Sequence, residues 1–285
     1  MLRKRRFRWA IIPAAVVTVL ALAGCSQQQL VGFLPSAAGV TNHTSEVIGL
    51  WNTSWIVLLG VGILTWGLII WAAVVYRRRK GQTGLPVQLR YNLPIEIFYT
   101  IVPLILVLGF FAFTAKTQNN IEQPIANPQV KIDVYGQRWA WTFDYVNEKT
   151  YSPGIQAQTE ASSGALTAPL NTLYLPVNKR VQIKIYSRDV AHSFWIVNFL
   201  YKKDMIPGKT NYMYFIPEKI GTYQGKCAEL CGQYHSLMLF QVKVVSDADY
   251  TAYIAQNKKK YPGLLGSNYN PNTNLPGTVS QNGSN

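Results

Sequence analysis

Three hydrophobic patterns follow one another along the chain, and each predicts a different element. A basic opening, MLRKRRFRW, leads into an apolar run over residues 10–23. That run is short for a bilayer crossing, so the pattern predicts a signal peptide over 1–24. Residues 47–76 then carry no charge over thirty positions, ~45 Å as a helix. That is enough to cross a ~30 Å hydrocarbon core with tilt. A second uncharged run, 97–115, returns the chain, with Pro94 and Pro103 placed to start or kink its helix. After residue 119 the period falls to two. Val130, Ile132 and Val134 alternate with Lys131 and Asp133. Val181, Ile183 and Ile185 alternate with Gln182 and Lys184, and Met238, Phe240, Val242 and Val244 with Gln241 and Lys243. Short strands between Gly, Pro and Asn punctuation predict a Greek-key β-sandwich.

Between these elements the pattern is weaker. Residues 25–46 form a polar lead-in with little periodicity, and 152–170 (SPGIQAQTEASSGALTAPL) reads as a surface insertion with a mobile loop as the default. Ser246, Asp247 and Asp249 open a helix that ends at Lys258, Lys259 and Lys260, with Pro262 and Gly263 beyond it. The segment 261–285 is a low-complexity tail rich in Asn, Gly, Pro and Ser.

Charge changes the picture in one respect. The 285-residue chain has a net charge of +14, which would suit nucleic acid if it formed a patch. Five of its basic residues instead lie in the first eight positions, and RRRK occupies 77–80, each group beside an apolar run. Basic residues so placed orient membrane segments. They put the 77–80 turn in the cytoplasm and the β-rich part outside. No Rossmann, P-loop or zinc-finger spacing occurs, and no nucleic-acid partner is expected.

Candidate chemistry is concentrated in GTYQGKCAELCGQYHSLMLF, residues 221–240. Cys227, Glu229, Cys231, His235 and Met238 fall within twelve residues. Two thiolates, an imidazole and a thioether make a soft ligand set that suits copper better than magnesium or calcium. A short-loop disulfide between Cys227 and Cys231 is the plain alternative in an oxidising compartment. A second imidazole is wanted, and His192 is a better placed candidate than His43. Two further features stand apart. Leu22-Ala23-Gly24-Cys25 has the form of a bacterial lipobox, with lipidation at Cys25 expected over a plain signal peptide or an uncleaved anchor. Glu96 is the only acid between Glu46 and Glu122. It reads either as a functional carboxylate or as an N-terminal glutamate favoured by the helix dipole.

The runs Phe215-Ile216-Pro217, Gly221-Thr222-Tyr223, Cys227-Ala228-Glu229-Leu230-Cys231-Gly232 and His235-Ser236-Leu237-Met238, with Asp189-Val190-Ala191-His192-Ser193-Phe194 upstream, resemble subunit II of the haem–copper cytochrome c oxidases. The resemblance covers residues 47 to 260 or thereabouts. It implies a two-helix transmembrane hairpin (47–118) followed by an all-β cupredoxin-like Greek-key sandwich (119–260). It also implies a binuclear copper A centre (CuA). Cys227 and Cys231 would bridge the metals, His192 and His235 would bind one each, and Met238 and the carbonyl of Glu229 would be weak ligands. The Glu229 side chain would serve a magnesium ion shared with subunit I. Glu96, in EIFYTIVP, resembles the glutamate at the mouth of a proton pathway. Trp139, in QRWAW, resembles the exposed tryptophan where electrons enter, although Ala140 stands where an aromatic is usual; Trp141 reads as a packed core aromatic.

The implied role is an electron-accepting subunit of a proton-pumping cytochrome c oxidase in a bacterial cell membrane, with copper domain and lipid anchor outside. Subunits I and III would be partners, and a c-type cytochrome the donor. With its lipobox and insertion the chain looks like the actinobacterial type, which implies a tethered cytochrome bc complex carrying that haem. A quinol-oxidase subunit II would lack the copper ligands. A copper-delivery lipoprotein would not need two spans, and a nitrous oxide reductase domain would lack the hairpin.

Overall fold

The computed structural model describes residues 26–85, 88, 90–157, 164, 166 and 169–265. The expected signal peptide, Cys25, the middle of the 152–170 insertion and the tail from 266 lie outside the described residues.

The lead-in is more ordered than its composition suggests. Helix α1 (Gln27–Leu30) is closed by a capping box: Ser26 Oγ accepts from the Gln29 N–H, and the Ser26 N–H donates to Gln29 Oε1. The chain then runs along the sandwich. Asn198 Nδ2 donates to Pro35 O at 2.7 Å, Ser36 Oγ donates to Asn198 O, and Thr41 pairs with Pro217. Polar side chains bonded to backbone leave no hydrophobic period, so alternation had nothing to register here.

Helices α2 (Thr44–Val75) and α3 (Leu93–Glu122) form the hairpin, each long and apolar enough to cross a membrane. Both extend past the uncharged windows of the sequence, because hydropathy marks only the apolar part of a helix. Asn92 caps α3 by accepting from the Ile95 N–H, Pro94 lies in its first turn, and Pro103 is accommodated within it. At the outer ends Asn120 Nδ2 donates to Glu46 Oε1 at 2.7 Å, joining the two helices. Glu122 pairs with Lys203 of the sandwich.

Among the described residues the sandwich has two five-stranded sheets. One contains β1 (Val130–Gln137), β2 (Ala140–Tyr145), β3 (Thr150–Ser152), β5 (Val181–Ser187) and β8 (Asn211–Phe215), in the order β3-β2-β1-β5-β8. The other contains β4 (Thr172–Pro176), β6 (His192–Ile196), β7 (Tyr201–Met205), β9 (Gly221–Cys227) and β10 (Leu239–Val245), in the order β4-β10-β9-β6-β7. The pairs β1/β5 and β4/β10 are parallel, and the remaining pairs are antiparallel.

The alternating residues do what the pattern predicts. Ile132, Val134, Ile183, Ile185, Val242 and Val244 are almost wholly buried between the sheets. Aromatics fill the centre: Phe194 stacks on Phe240 with centroids 4.7 Å apart, and Trp141 meets both rings at 5.3 Å. Helix α4 (Asp247–Lys260) begins at the Ser246 cap and closes one flank, where Tyr253 stacks on Tyr174 at 3.7 Å.

Candidate metal centre

Strand β9 delivers Cys227 to the end of the sandwich, and β10 starts just after Met238. The intervening loop is held by backbone bonds. The Cys227 N–H donates to Met238 O at 3.0 Å, prolonging the β9/β10 pairing, and the Ala228 N–H donates to Ser193 O, fastening the loop to β6. Gly232 turns the chain at φ +116°, where a side chain would be strained, and a Cβ there would lie 3.2 Å from the Trp139 ring. A 3₁₀ turn, His235–Leu237, then brings His235 and Met238 back over the cysteines.

The loop and β6 gather the predicted donors. His192 Nδ1 lies 3.7 Å from Cys227 Sγ, His235 Nδ1 3.5 Å from Cys231 Sγ, and Met238 Sδ 3.7 Å from Cys231 Sγ. The Glu229 carbonyl lies 3.2 Å from Cys227 Sγ, with the Glu229 side chain facing solvent. Both cysteines are free thiols, so the disulfide alternative does not describe this loop. His192, Cys227, Cys231 and Met238 are buried, whereas His235 is half-buried at the rim. Ligand atoms of His192, Cys227 and Cys231 lie within 4.8 Å of one another. Two thiols, a thioether and imidazole nitrogens are the soft donors that hold copper, so the residues fit that metal.

The electrostatics treat the two thiols differently. The hydrogen bond with Cys231 holds the Cys227 thiol well below its usual range against the opposing effect of burial, and His192 and the Glu229 and Ser193 backbone assist. Cys231 is pushed up, first by its hydrogen bond to Cys227 and then by burial. A bound soft cation would displace the thiol protons of both cysteines. Burial lowers His192, but Asp189 and Cys227 outweigh it and leave the imidazole above its ordinary value. Burial raises Asp189, yet bonds from His192 and from the Arg138 and Val190 N–H groups bring it below the carboxylate norm.

The family profile for the periplasmic domain of cytochrome c oxidase subunit II matches residues 130–245. A probable cytochrome c oxidase subunit 2 from Streptomyces avermitilis is 40% identical over 249 residues, covering 78% of each chain. This chain belongs to the cytochrome c oxidase subunit II family. The cytochrome c oxidase subunit 2 of Mycobacterium tuberculosis is 33% identical, covering 87% of this chain and 80% of that one. The crystal structure of the periplasmic domain of subunit II (CoxB) of Bradyrhizobium japonicum is similar at 26% identity and a TM-score of 0.43, over 48% of this chain and 99% of that one. Membership in that family makes the protein a subunit of an oxidase complex, with a cupredoxin-like domain outside the membrane whose clustered soft donors fit copper.

Other predicted residues of this subunit II lie apart from the cluster. Trp139, expected to be exposed, is half-buried: its Nε1 donates to Cys231 O at 3.2 Å and its ring meets Tyr234 edge-on at 4.9 Å. Trp141 is buried and donates to Met238 O at 3.2 Å. Glu96 is half-buried in the first turn of α3, where Oε1 accepts from the Asn92 N–H at 2.9 Å. His43, the alternative imidazole, sits at the start of α2 against the Tyr214 carbonyl. Arg138, which no sequence pattern singles out, donates its N–H and Nε to Asp189 Oδ2 at 2.7 and 3.3 Å. Its position next to Trp139 was the available signal.

Proposed function

We propose that this subunit accepts electrons from a c-type haem at a binuclear copper A centre and passes them to haem in subunit I. The observation that carries the reading is the meeting of Cys227, Cys231, Met238 and His235 on one loop with His192 of β6, all as unoxidised soft donors. Cys227 and Cys231 would bridge the two metals, His192 and His235 would each hold one, and Met238 and the Glu229 carbonyl would complete the set. A dithiolate-bridged copper pair supplies one-electron transfer with the charge spread over two metals.

The remaining work belongs to the chain. Asp189 holds the distal nitrogen of His192 at 2.8 Å, which fixes the ring so that Nδ1 faces Cys227. The buried walls keep water from the thiolates. Trp139, bonded to the Cys231 carbonyl and half-open to solvent, joins the surface to the ligand loop, which supports it as the residue where electrons enter. The outward Glu229 carboxylate suits a magnesium ion shared with subunit I. Glu96, at the cytoplasmic start of α3, suits the mouth of a proton pathway, and subunit III completes the oxidase core.

In the same reading residues 1–24 are removed, Cys25 is acylated, residues 25–46 lead into a hairpin at 47–118, and 119–260 carry the copper. The donor is the haem domain of a tethered cytochrome bc complex. Copper analysis and electron resonance of the purified complex test the centre. Two coppers in this subunit and seven hyperfine lines from two equivalent nuclei are expected. One copper, or the four lines of a single nucleus, overturns it. Cys227→Ser or Cys231→Ser should abolish the signal, and His192→Asn or Met238→Leu should distort it.

A further inference from the structure

An apolar groove lies outside the copper domain, between α1 and the outer third of α2. Its cavity of about 680 Å³ is walled on one side by Leu30, Gly32 and Phe33 and on the other by Trp55, Ile56 and Leu59. The walls are tied together. Trp51 Nε1 donates to Gly32 O at 2.8 Å, and Asn52 Nδ2 donates to Leu30 O at 2.7 Å. Gln29 and Asn52 also border the groove, but both amides are engaged in hydrogen bonds, and the rest of the lining is hydrocarbon and indole.

Its shape depends on a particular backbone. Gly32 and Phe33 both have positive φ, +64° and +60°, and a Cβ on Gly32 would meet Asn52 Oδ1 at 2.4 Å. A phenylalanine seldom takes that conformation. Here it turns the Phe33 ring outward, 70% exposed, next to Leu30 at 52%. From Trp51 to Leu59 the groove follows α2 for ~12 Å at 1.5 Å per residue, away from the sandwich and toward the membrane interior. Trp51 and Trp55, edge-to-face at 5.7 Å, mark the interface level. The groove therefore opens at the lipid surface, and its wall begins at Gln29, four residues along the chain from Cys25.

We infer that this groove is the seat of an acyl chain carried by Cys25, so that the lipid is held against α2 as part of the subunit's structure. The inference rests on the reading of Cys25 as acylated. Three observations select the occupant: a mainly apolar lining, a course into the bilayer, and a wall that begins at Gln29, four residues along the chain from the modified residue. A hydrocarbon chain attached there reaches Trp55 and Leu59 without crossing water, and it covers the exposed Phe33 and Leu30.

The test uses the complete oxidase in membranes of cells fed a fatty acid bearing a diazirine and an alkyne. After irradiation and digestion, mass spectrometry should find the acylated Cys25 peptide cross-linked to residues 51–59. The Cys25→Ala variant should lose that product, and Leu59→Asp should lower its yield several-fold with Cys25 still acylated. An unmodified Cys25 in the intact mass would remove the lipidation reading itself, and this inference with it. An acylated Cys25 whose cross-links fall on bulk phospholipid, or on the Trp66 and Ile70 stretch, would overturn the groove alone. So would a phospholipid adduct at Trp55 that persists in Cys25→Ala.

Discussion

The Asp189 side chain is 1% exposed, and its two oxygens are shared among Arg138, Val190 and His192. Removing the carboxylate leaves buried donors with no acceptor. Asp189→Ala should therefore lower domain stability by about 3–5 kcal/mol, the usual cost of breaking a buried pair from one side, as read from chemical unfolding of the metal-free protein. A second acid behaves differently. Asp144 is 5% exposed with Oδ1 unpartnered among the described residues. Burial first, then Asp133 opposite it in the β1/β2 register, push its pKa from 3.8 to about 7, against a backbone bond at Leu265. The folded state then binds this proton more tightly than the unfolded state does, so stability falls as pH rises from about 4 to about 7 and levels off above that. Unfolding midpoints at pH 5 and pH 8 should show the fall, and Asp144→Asn should flatten it. The soft ligands of the loop were legible from residue type and spacing alone. The roles of Asp189 and Arg138 were not, because spacing does not say which charged groups a fold brings together.

Strands differ in how openly their sequences declare them. In β1, β5 and β10 one face is buried and the other half-open, so alternation survives. In β2 all six residues are buried, and AWTFDY shows no period. In β6, His192 and Ser193 are both fully buried: one faces Cys227, and the other passes its carbonyl to the ligand loop. A strand that supplies the site hides its own pattern in doing so. Close packing yields a prediction in β9. A Cβ on Gly225 would lie 2.2 Å from the Phe240 ring, so Gly225→Ala should cost about 1–3 kcal/mol through overpacking and lower the thermal midpoint. At the start of α3 the question is one of roles. Glu96→Gln keeps an acceptor for the Asn92 N–H and removes the titratable group. If Glu96 serves proton uptake, oxygen consumption should drop several-fold with copper content and helix content intact; unchanged turnover would leave it a helix cap.

At the scale of the molecule, charge bears on the donor. From Asn120 onward there are eleven Asp and Glu against sixteen Lys and Arg, a formal +5. A basic soluble cytochrome gains no steering from such a surface, whereas a tethered haem domain needs none. Oxidation of the haem in the cytochrome bc complex should therefore vary little with salt. Rapid turnover of a small basic cytochrome c that collapses on adding salt would contradict the tethered donor. The hairpin and the sandwich were both legible, since each fills a long window with one period. The way they join was not, because it depends on isolated polar contacts of the lead-in. Those contacts have a mechanical consequence. The sandwich stands on three legs: the strap bonded through Pro35, Ser36 and Thr41, the head of α2 through His43, and the end of α3 through Glu122. Two supports would leave an axis about which the domain could rock. Three oppose rocking as well, so bonds within this one chain steady the ligand loop against its own helices before any other subunit arrives.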